Sequence, residues 1–209
     1  MANDSKAKKT TLERILKEAH HEFSNRGFDG ASIEQIARAA NVTKQLIYHY
    51  FNNKNQLYRA TLEAVADQAQ LLVDPKVCAA LPALDALTLV ANRIIDEYIK
   101  NPSYAALTLD QGLHRGAHIS EHSSFIAQTR SFIVEVIEPV LARGIANGEL
   151  RSDLDAGIVY WLIFHSASGC FHNTEVMSQT TTTDFSTEQG IAAWRAAVIE
   201  LFRAALRKP

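Results

Sequence analysis

The side chains best suited to chemistry in this 209-residue chain lie in one short segment, VTKQLIYHYF, from Val42 to Phe51. It brings together a lysine, a glutamine, two tyrosines and a histidine. Lysine, tyrosine and histidine can donate hydrogen bonds to phosphate oxygens, and glutamine and lysine can pair with base edges. This combination of side chains is typical of a surface that binds nucleic acid.

Helical spacing separates this segment into two faces. Val42, Ile47 and Phe51 are spaced to point into the core of a small helical unit. The opposite side then carries Lys44, Gln45, Leu46, Tyr48 and His49. On a helix lying in the major groove, the polar members of this set can meet base edges, and Leu46 can meet a thymine methyl. Tyr48 and Tyr50 could instead be core aromatics, and Lys44 and Lys54 could be ordinary surface charges.

The elements around this helix form a helix-turn-helix pattern. Ser32 can cap a second helix while Gln35 reaches back, and Thr43 can cap the third. Asn41 lies between them, where a left-handed residue would close the second helix. Two short helices joined by a tight turn are typical of DNA binding. The predicted DNA-contacting set is completed by flanking residues: Lys8, Lys9, Ser32, Thr43 and Lys54.

Nearly every other segment has helical periodicity. Thr10 with Glu13 predicts the start of the first helix, and Gly27 predicts its end. Further helices are expected over 53–73, 82–101, 103–112, 120–147, 153–174 and 187–207. We expect a kink at Pro139 and a loop over 178–186. Because no strand-like alternation of useful length appears, the predicted fold class is all-α.

The composition indicates a soluble, cytoplasmic protein. Apolar residues make up 47% and charged residues 21% of the chain, and no apolar run approaches the length of a membrane span. Cys78 and Cys170 are too few for a disulfide framework. The net charge of −2 divides unevenly, with ten basic and six acidic residues in 1–60, and eleven and seventeen in 61–209. A basic segment 1–60 followed by an acidic segment 61–209 predicts that the first segment binds a polyanion.

The N-terminal segment resembles the DNA-binding domain of the TetR family of transcriptional regulators. About fifty residues correspond in register, through every helix and turn of the module. The matching positions are Phe23, Arg26-Gly27-Phe28, Ser32-Ile33, Ile36-Ala37, Ala40 to Lys44, Ile47 to Phe51, Lys54 and Leu57. Asn41 and Gln45 depart from this pattern, since the family commonly has glycine at both positions. Asn tolerates the same backbone shape, and the amide of Gln45 is expected to contribute to operator choice.

The resemblance implies an all-α protein of two domains: an N-terminal three-helix helix-turn-helix domain, 1–56, and a C-terminal ligand-binding and dimerisation domain, 57–209. It implies a homodimer on a palindromic double-stranded DNA operator, released by a small-molecule inducer, and no membrane partner. The helices 153–174 and 187–207 would pair with their symmetry mates in the dimer. The expected function is a ligand-responsive repressor. An activator of the same fold, or a dimeric small-molecule-binding protein with a vestigial helix-turn-helix, are the alternatives.

The effector pocket is expected between helices of the C-terminal domain, where helical bundles commonly hold ligands. Aromatic side chains with a few hydrogen-bonding groups suit a small, planar or partly polar molecule. The candidate lining residues are Tyr98, Tyr104, Leu107, Gln111, His114, Phe125, Trp161, Phe164, His165 and His172.

The sequence favours neither a metal site nor a catalytic function. His114, His118 and His122 recur at four-residue spacing, but Gly112 and Gly116 interrupt the helix that would align them. We therefore expect neither a metal nor another cofactor. No G-x-S-x-G, H-E-x-x-H or phosphate-binding glycine loop occurs, so the sequence predicts no enzyme.

Overall fold

The structure is a computed structural model that describes residues 2–68, 73–119 and 123–208, with side chains from residue 9 onward. The helices are α1 (Ala2–Gly30), α2 (Ile33–Ala39), α3 (Lys44–Phe51), α4 (Lys54–Gln68), α5 (Pro75–Ala80), α6 (Ala83–Lys100), α7 (Ser103–Leu113), α8 (Ser124–Phe132), α9 (Glu138–Ala146), α10 (Ala156–His172), α11 (Thr174–Thr180) and α12 (Glu188–Leu206). The only β-type pairing in the described ranges is an isolated bridge between Leu150 and Arg207. The predicted all-α class is confirmed. None of the helices described is long and apolar enough to cross a membrane.

The chain divides into two compact units that do not follow the predicted linear boundary after residue 56. The first unit is Met1–Gln68 with Ala106–Phe125, and the second is Ala69–Ala105 with Ile126–Pro209. The difference has a physical cause: Leu57 and Tyr58 of α4 and Leu107 of α7 are buried in the first-unit core. The division of function between 1–56 and 57–209 stays a prediction.

The first-unit core joins the inner faces of four helices. Ile15 and Phe23 of α1, Ile36 of α2, Ile47 of α3 and Leu57 of α4 are all fully buried. Burying an aliphatic or aromatic side chain of this size contributes about 1.5–3 kcal/mol. This shared core fixes α2 and α3 against α1 and α4.

Helix α1 begins earlier than the capping pattern at Thr10 predicts, so that predicted start is wrong. Residues 2–9 contain neither Pro nor Gly, and Ala and Lys are strong helix formers, so the helix continues through them. The predicted break at Gly27 is present, since this residue has φ 64° and ψ −180°. The chain makes one more helical turn, to Gly30, before α2.

The second unit is built around α6, which packs against α5, α9, α10 and α12. Its first amides are capped by a distant carboxylate: the N–H groups of Ala83 and Leu84 donate to Glu149 at 2.9 and 2.8 Å. Gly144 of α9 allows close packing, because a Cβ there would lie 2.6 Å from the Cβ of Ala83. These contacts secure the N-terminal end of α6.

The predicted helix 120–147 is present as several pieces. Residues 120–122, including the predicted start at Ser120, lie outside the described residues. Helix α8 begins at Ser124, whose N–H donates to the Glu63 carboxylate at 2.8 Å. A π-helical turn, Ile133–Ile137, ends two residues before Pro139. The predicted irregularity at this proline therefore takes the form of a local change in helix type, which is common near such a break.

The predicted loop 178–186 is wrong at its start, because α11 extends to Thr180. Hydroxyl groups in this segment support the helix: Ser178 Oγ donates to Thr174 O, and Thr180 Oγ1 donates to Val176 O, both at 2.7 Å. Side chains of this kind can bond to the preceding turn of a helix as well as break it. The remaining predicted helices are present with small shifts, and 69–72, at the end of predicted helix 53–73, lie outside the described residues.

Candidate nucleic-acid interface

The caps of α2 and α3 and the turn between these helices follow the sequence prediction, except that the N–H of Ser32 donates to Glu22 and not to the side chain of Gln35. Ser32 Oγ accepts a hydrogen bond from Gln35 N at 3.4 Å, and Thr43 Oγ1 accepts one from Leu46 N at 3.2 Å. Asn41 has φ 51°, in the left-handed region. Each side chain satisfies a local backbone requirement, so these few residues determine how α2 leads into α3.

Two charged side chains of α1 hold α2 at both ends. Arg14 Nε donates to the carbonyl of Ala40 at 2.6 Å, at the C-terminal end of α2. Glu22 Oε1 accepts from the N–H of Ser32 at 3.0 Å, at its N-terminal end. The sequence alone did not reveal either contact, and no local pattern signals them, because the partners are 26 and 10 residues apart.

Helix α3 presents the predicted outer face to solvent. Ile47 is fully buried and Phe51 nearly so, whereas Gln45, Tyr48 and His49 are exposed, Tyr48 by 37%. Lys44 and Leu46 are partly exposed beside them. The structure thus brings these predicted side chains together on one accessible surface. We call this set, Lys44, Gln45, Leu46, Tyr48 and His49, the α3 face.

Tyr50 differs from Tyr48. It is partly buried and packs against the first-unit core. This contact agrees with the alternative that Tyr50 is a core aromatic, whereas the exposure of Tyr48 leaves that side chain available to a partner.

Lys44 is paired with an acidic residue that the sequence did not single out. Its Nζ donates to Glu34 Oε1 and lies 5.7 Å from the centre of the Tyr48 ring. Ser32 Oγ donates to the other Glu34 oxygen at 3.1 Å. The hydrogen bond from Lys44 lowers the pKa of Glu34, and the same bond raises the pKa of Lys44. The α3 face therefore contains a cation that is already neutralised by a neighbour.

The predicted flanking lysines have different environments. Lys54 Nζ donates to the carbonyl of Asp29 at 3.1 Å and lies 5.0 Å from the centre of the Phe28 ring. Lys9 is exposed, and the side chain of Lys8 lies outside the described side chains. Lys54 therefore holds the end of α1 as well as being accessible from solvent.

The end of α1 is also held by Asp110 of α7. The N–H of Phe28 donates to Asp110 Oδ1 at 3.1 Å, and the Tyr58 hydroxyl donates to Asp110 Oδ2. Gln111 Nε2 in turn donates to the Tyr58 oxygen at 2.7 Å. Burial and the hydrogen bond to Asp110 hold the pKa of Tyr58 well above its ordinary value. Asp110 thus connects α1, α4 and α7 within the first unit.

His114 extends this network. Its Nδ1 lies 2.9 Å from the carbonyl oxygen of Asp110, and its Nε2 lies 3.3 Å from Asp29 Oδ2. Both neighbours are acceptors, so the doubly protonated ring can donate to each. The contact with the Asp110 carbonyl, followed by that with Asp29, raises the pKa of His114.

The pKa of His118 is shifted in the opposite direction. Asn55 Nδ2 donates to its Nδ1 at 2.8 Å, and burial, followed by the charge on His114, lowers its pKa. The ring packs against Phe28 in a tilted arrangement, with centroids 4.0 Å apart. His122 lies outside the described residues, and no cluster of three potential metal ligands occurs among the residues that are described. His114 and His118 therefore act here as packing and hydrogen-bonding groups.

Comparison with known proteins gives this architecture a family. Residues 15–61 match the family model described as bacterial regulatory proteins, tetR family, and residues 84–201 match the tetracyclin repressor-like C-terminal domain. The chain is 30% identical, over 95% of its length and 93% of the relative's, to the HTH-type transcriptional repressor NicS of Pseudomonas putida. The chain belongs to the TetR family. It is a bacterial transcriptional regulator with a helix-turn-helix DNA-binding region.

Solved structures share the fold of this TetR-family regulator. A transcriptional regulator of Streptomyces coelicolor has a TM-score of 0.68 and 23% identity, covering 95% of this chain and 99% of that one. The FadR regulator of Bacillus subtilis, solved with stearoyl-CoA, has a TM-score of 0.66 and 19% identity, covering 92% and 97%.

The second unit of the TetR-family regulator holds six of the ten predicted ligand-lining residues. Tyr98 lies at the centre of an aromatic group, with ring centroids 6.2 Å from Tyr104, 6.4 Å from Phe164 and 5.6 Å from His172. Trp161 and His165 are exposed and stack on each other at 5.7 Å. The structure therefore brings four of the predicted residues into one cluster and leaves two on the surface of α10.

The other four predicted lining residues belong to the first unit. Leu107 is buried in its core, and Gln111 and His114 take part in the Asp110 network described above. Phe125 is partly buried at the start of α8. Their sequence pattern did not distinguish a ligand pocket from a support of the helix-turn-helix, because both use aromatic and hydrogen-bonding side chains.

Proposed function

We propose that this TetR-family regulator binds a palindromic operator as a homodimer and represses transcription until a small-molecule effector releases it. It acts in the cytoplasm, without catalytic activity. The observation that carries the proposal is the exposed α3 face on a fully packed core. Polar and aromatic side chains that can pair with bases and phosphates point outward, while their apolar neighbours fix the helix.

An exposed apolar surface on the second unit supports the homodimer. Ile158 and Leu162 of α10 are 63% and 55% exposed, and Leu201 of α12 is 58% exposed. Ile158, Trp161 and Leu162 have the spacing of one helix face. Burying these side chains against a second copy removes apolar area from water. Two copies also supply two recognition helices, which tight and specific binding requires.

In this proposal, helix α7 couples effector binding to DNA binding. At its beginning, Tyr104 belongs to the aromatic cluster of the second unit. At its end, Asp110 and Gln111 bond to α1 and α4 in the first unit. An effector that binds one arrangement of the aromatic cluster better would shift the population of the arrangement that binds DNA.

Selection of bound sequences from random duplex DNA, at two salt concentrations, tests the proposed function. Enrichment of a palindrome with half-sites about 34–36 Å or a multiple apart supports the dimeric regulator. Weak, sequence-independent binding that disappears with salt contradicts it. That outcome would favour a dimeric small-molecule-binding protein that retains the helix-turn-helix only as a scaffold.

Gln45→Ala is expected to relax the base preference at one position of each half-site. The Gln45 amide is exposed on the α3 face and can form a bidentate pair with adenine, worth about 1–3 kcal/mol of discrimination. The selection of bound sequences should be repeated with Gln45→Ala and, separately, with His49→Ala, which changes another side chain of the same face. An unchanged preference after Gln45→Ala would show that this side chain does not read the operator.

Glu34→Gln is expected to tighten DNA binding and to make it more dependent on salt. The substitution removes the carboxylate that neutralises Lys44, so each subunit presents about one more cation to phosphate. The slope of log affinity against log salt should steepen by about 0.9 per subunit. Fluorescence anisotropy on the selected operator at several salt concentrations measures this slope.

The control for this prediction is Glu135→Gln, which removes one exposed carboxylate from the second unit. It changes the net charge equally but leaves the Lys44 pair intact. An equal effect of both substitutions would assign the change to overall charge. In a Lys44→Ala background the effect of Glu34→Gln should largely disappear.

A further inference from the structure

A buried carboxylate in the second unit has an oxygen without a partner. Glu97 of α6 is only 3% exposed. Its Oε1 accepts a hydrogen bond from Asn101 Nδ2 at 2.7 Å, whereas its Oε2 is buried and has no hydrogen-bond partner. No ion pair among the described residues involves this carboxylate.

The hydrogen bond to Asn101 does not account for an acidic residue at this position. Burying a carboxylate without full pairing is costly, and an amide side chain would accept the same hydrogen bond at lower cost. A residue that only held the turn between α6 and α7 would need no charge. The free Oε2 atom therefore indicates a partner that supplies an N–H donor, and preferably a positive charge.

The surroundings of Glu97 suit an organic cation. The Tyr104 hydroxyl also donates a hydrogen bond to the Glu97 carboxylate, and burial, followed by the Glu97 charge and this hydrogen bond, raises the pKa of Tyr104 to about 12. The Tyr104 ring contacts Tyr98, which stacks on Phe171 with centroids 5.3 Å apart. The electron-rich faces of such rings attract cations. His172 supplies no counter-charge, because burial and the neighbouring His165 lower its pKa.

We infer that Glu97 Oε2 anchors the effector, and that the effector is a small organic molecule with a protonated amine. The amine N–H donates to Oε2, and its charge lies against the rings of Tyr98 and Tyr104. A quaternary ammonium ion does not meet this requirement, because it carries the charge but has no N–H group to donate to Oε2. This inference rests on the proposed function, since it names the chemical class of the effector.

A panel of matched compounds tests the inference on the full-length protein. The probes are monocyclic aromatic skeletons, each with a terminal amine, alcohol or carboxylate, such as benzylamine, benzyl alcohol and benzoate. Binding is measured by native mass spectrometry and by thermal shift. Amines are expected to bind at least about tenfold more tightly than the matched alcohols and carboxylates. Equal binding of the three classes, preference for carboxylates, or no binding of any amine would overturn the inference.

Two variants separate ligand anchoring from support of the fold. Glu97→Gln keeps an acceptor for Asn101 and should lose about tenfold or more of the amine affinity, while alcohol binding stays unchanged. Asn101→Ala removes the local hydrogen bond but keeps the charge, so amine binding should persist. Retained amine affinity in Glu97→Gln would overturn the inference.

Operator binding is measured separately, so that the two proposals can fail independently. Absence of a selected operator would contradict the proposed function whatever the amines do. If the operator is bound, release by the tightest amine from the wild-type protein, and not from Glu97→Gln, would support the inference. An amine that binds at Glu97 without releasing the operator would contradict its role as effector.

Discussion

Replacing both Lys44 and Tyr48 by Ala is expected to reduce affinity for the selected operator by at least about a hundredfold. Both side chains lie on the exposed α3 face, where Lys44 can meet phosphate or a base edge and Tyr48 can donate to phosphate. A good contact of this kind is worth about 1–3 kcal/mol, and a dimer loses each contact twice. Anisotropy titration at fixed salt measures the loss.

The structure also predicts that this double variant stays folded. Neither side chain belongs to the first-unit core, and exposed substitutions usually change stability by less than about 0.5 kcal/mol. Lys100→Ala is the charge-matched control, since this lysine is exposed at the end of α6. Sequence-specific binding that survives Lys44→Ala with Tyr48→Ala would move DNA recognition away from the α3 face.

The helix-turn-helix could be predicted from sequence because its determinants are local. Ser32 and Thr43 bond to backbone N–H groups three residues further along, and Asn41 adopts a backbone shape that few other residues tolerate. Each requirement is visible within a few residues of sequence. The burial of Ile47 and the exposure of Gln45 follow from the same helical spacing.

The supports of this module could not be predicted, because their partners are distant in sequence. The Phe28 N–H and the Asp110 carboxylate are 82 residues apart, and the Tyr58 hydroxyl is 52 residues from the same carboxylate. Nothing in the local sequence around Asp110 distinguishes it from a solvated surface acid. Grouping residues 106–125 with the N-terminal module depends on these long-range contacts.

The predicted effector pocket also depends on packing that the sequence does not reveal. Aromatic residues such as Tyr98 and Phe164 were identified by type, but Glu97 was not, because an acidic residue on a helix is usually exposed. Only its burial and its unpaired oxygen reveal it. Residue type therefore suggests which side chains could line a site, whereas burial in the folded structure shows which polar atom lacks a hydrogen-bond partner.

Gly27→Ala is expected to destabilise the protein by about 3 kcal/mol or more, and to lower its unfolding midpoint by about 6–12 °C. With φ 64° and ψ −180°, Gly27 occupies a region that is almost restricted to glycine, at a cost of about 1–3 kcal/mol for other residues. A Cβ would also lie 2.6 Å from Asp110 Oδ1. The carboxylate that receives the Phe28 N–H would have to move. Thermal and urea unfolding measure the loss.

Substitutions at two other glycines separate the backbone cost of Gly27→Ala from the cost of its clash with Asp110. Gly116 has φ 70°, and no atom lies within 4 Å of the position that an added Cβ would take, so Gly116→Ala should show the backbone cost alone, about 1–2 kcal/mol. Gly30 has no positive φ, and Arg26 Cβ at 3.4 Å is the nearest contact, so Gly30→Ala should be close to neutral. A loss for Gly27→Ala no larger than that for Gly116→Ala would show that Asp110 yields without cost.

The contribution of Asp110 itself follows from a double-mutant cycle. Asp110→Ala removes the atom that a Cβ at Gly27 would meet, together with the acceptor for Phe28 N–H and the Tyr58 hydroxyl. Gly27→Ala should then cost only its backbone part, so the double variant should be destabilised by about 1–2 kcal/mol less than the sum of the two single variants. Strict additivity would mean that the Asp110 carboxylate does not oppose a Cβ at Gly27. A double variant that is less destabilised than this sum, together with weaker operator binding by Asp110→Ala, would show that this contact also positions the α3 face.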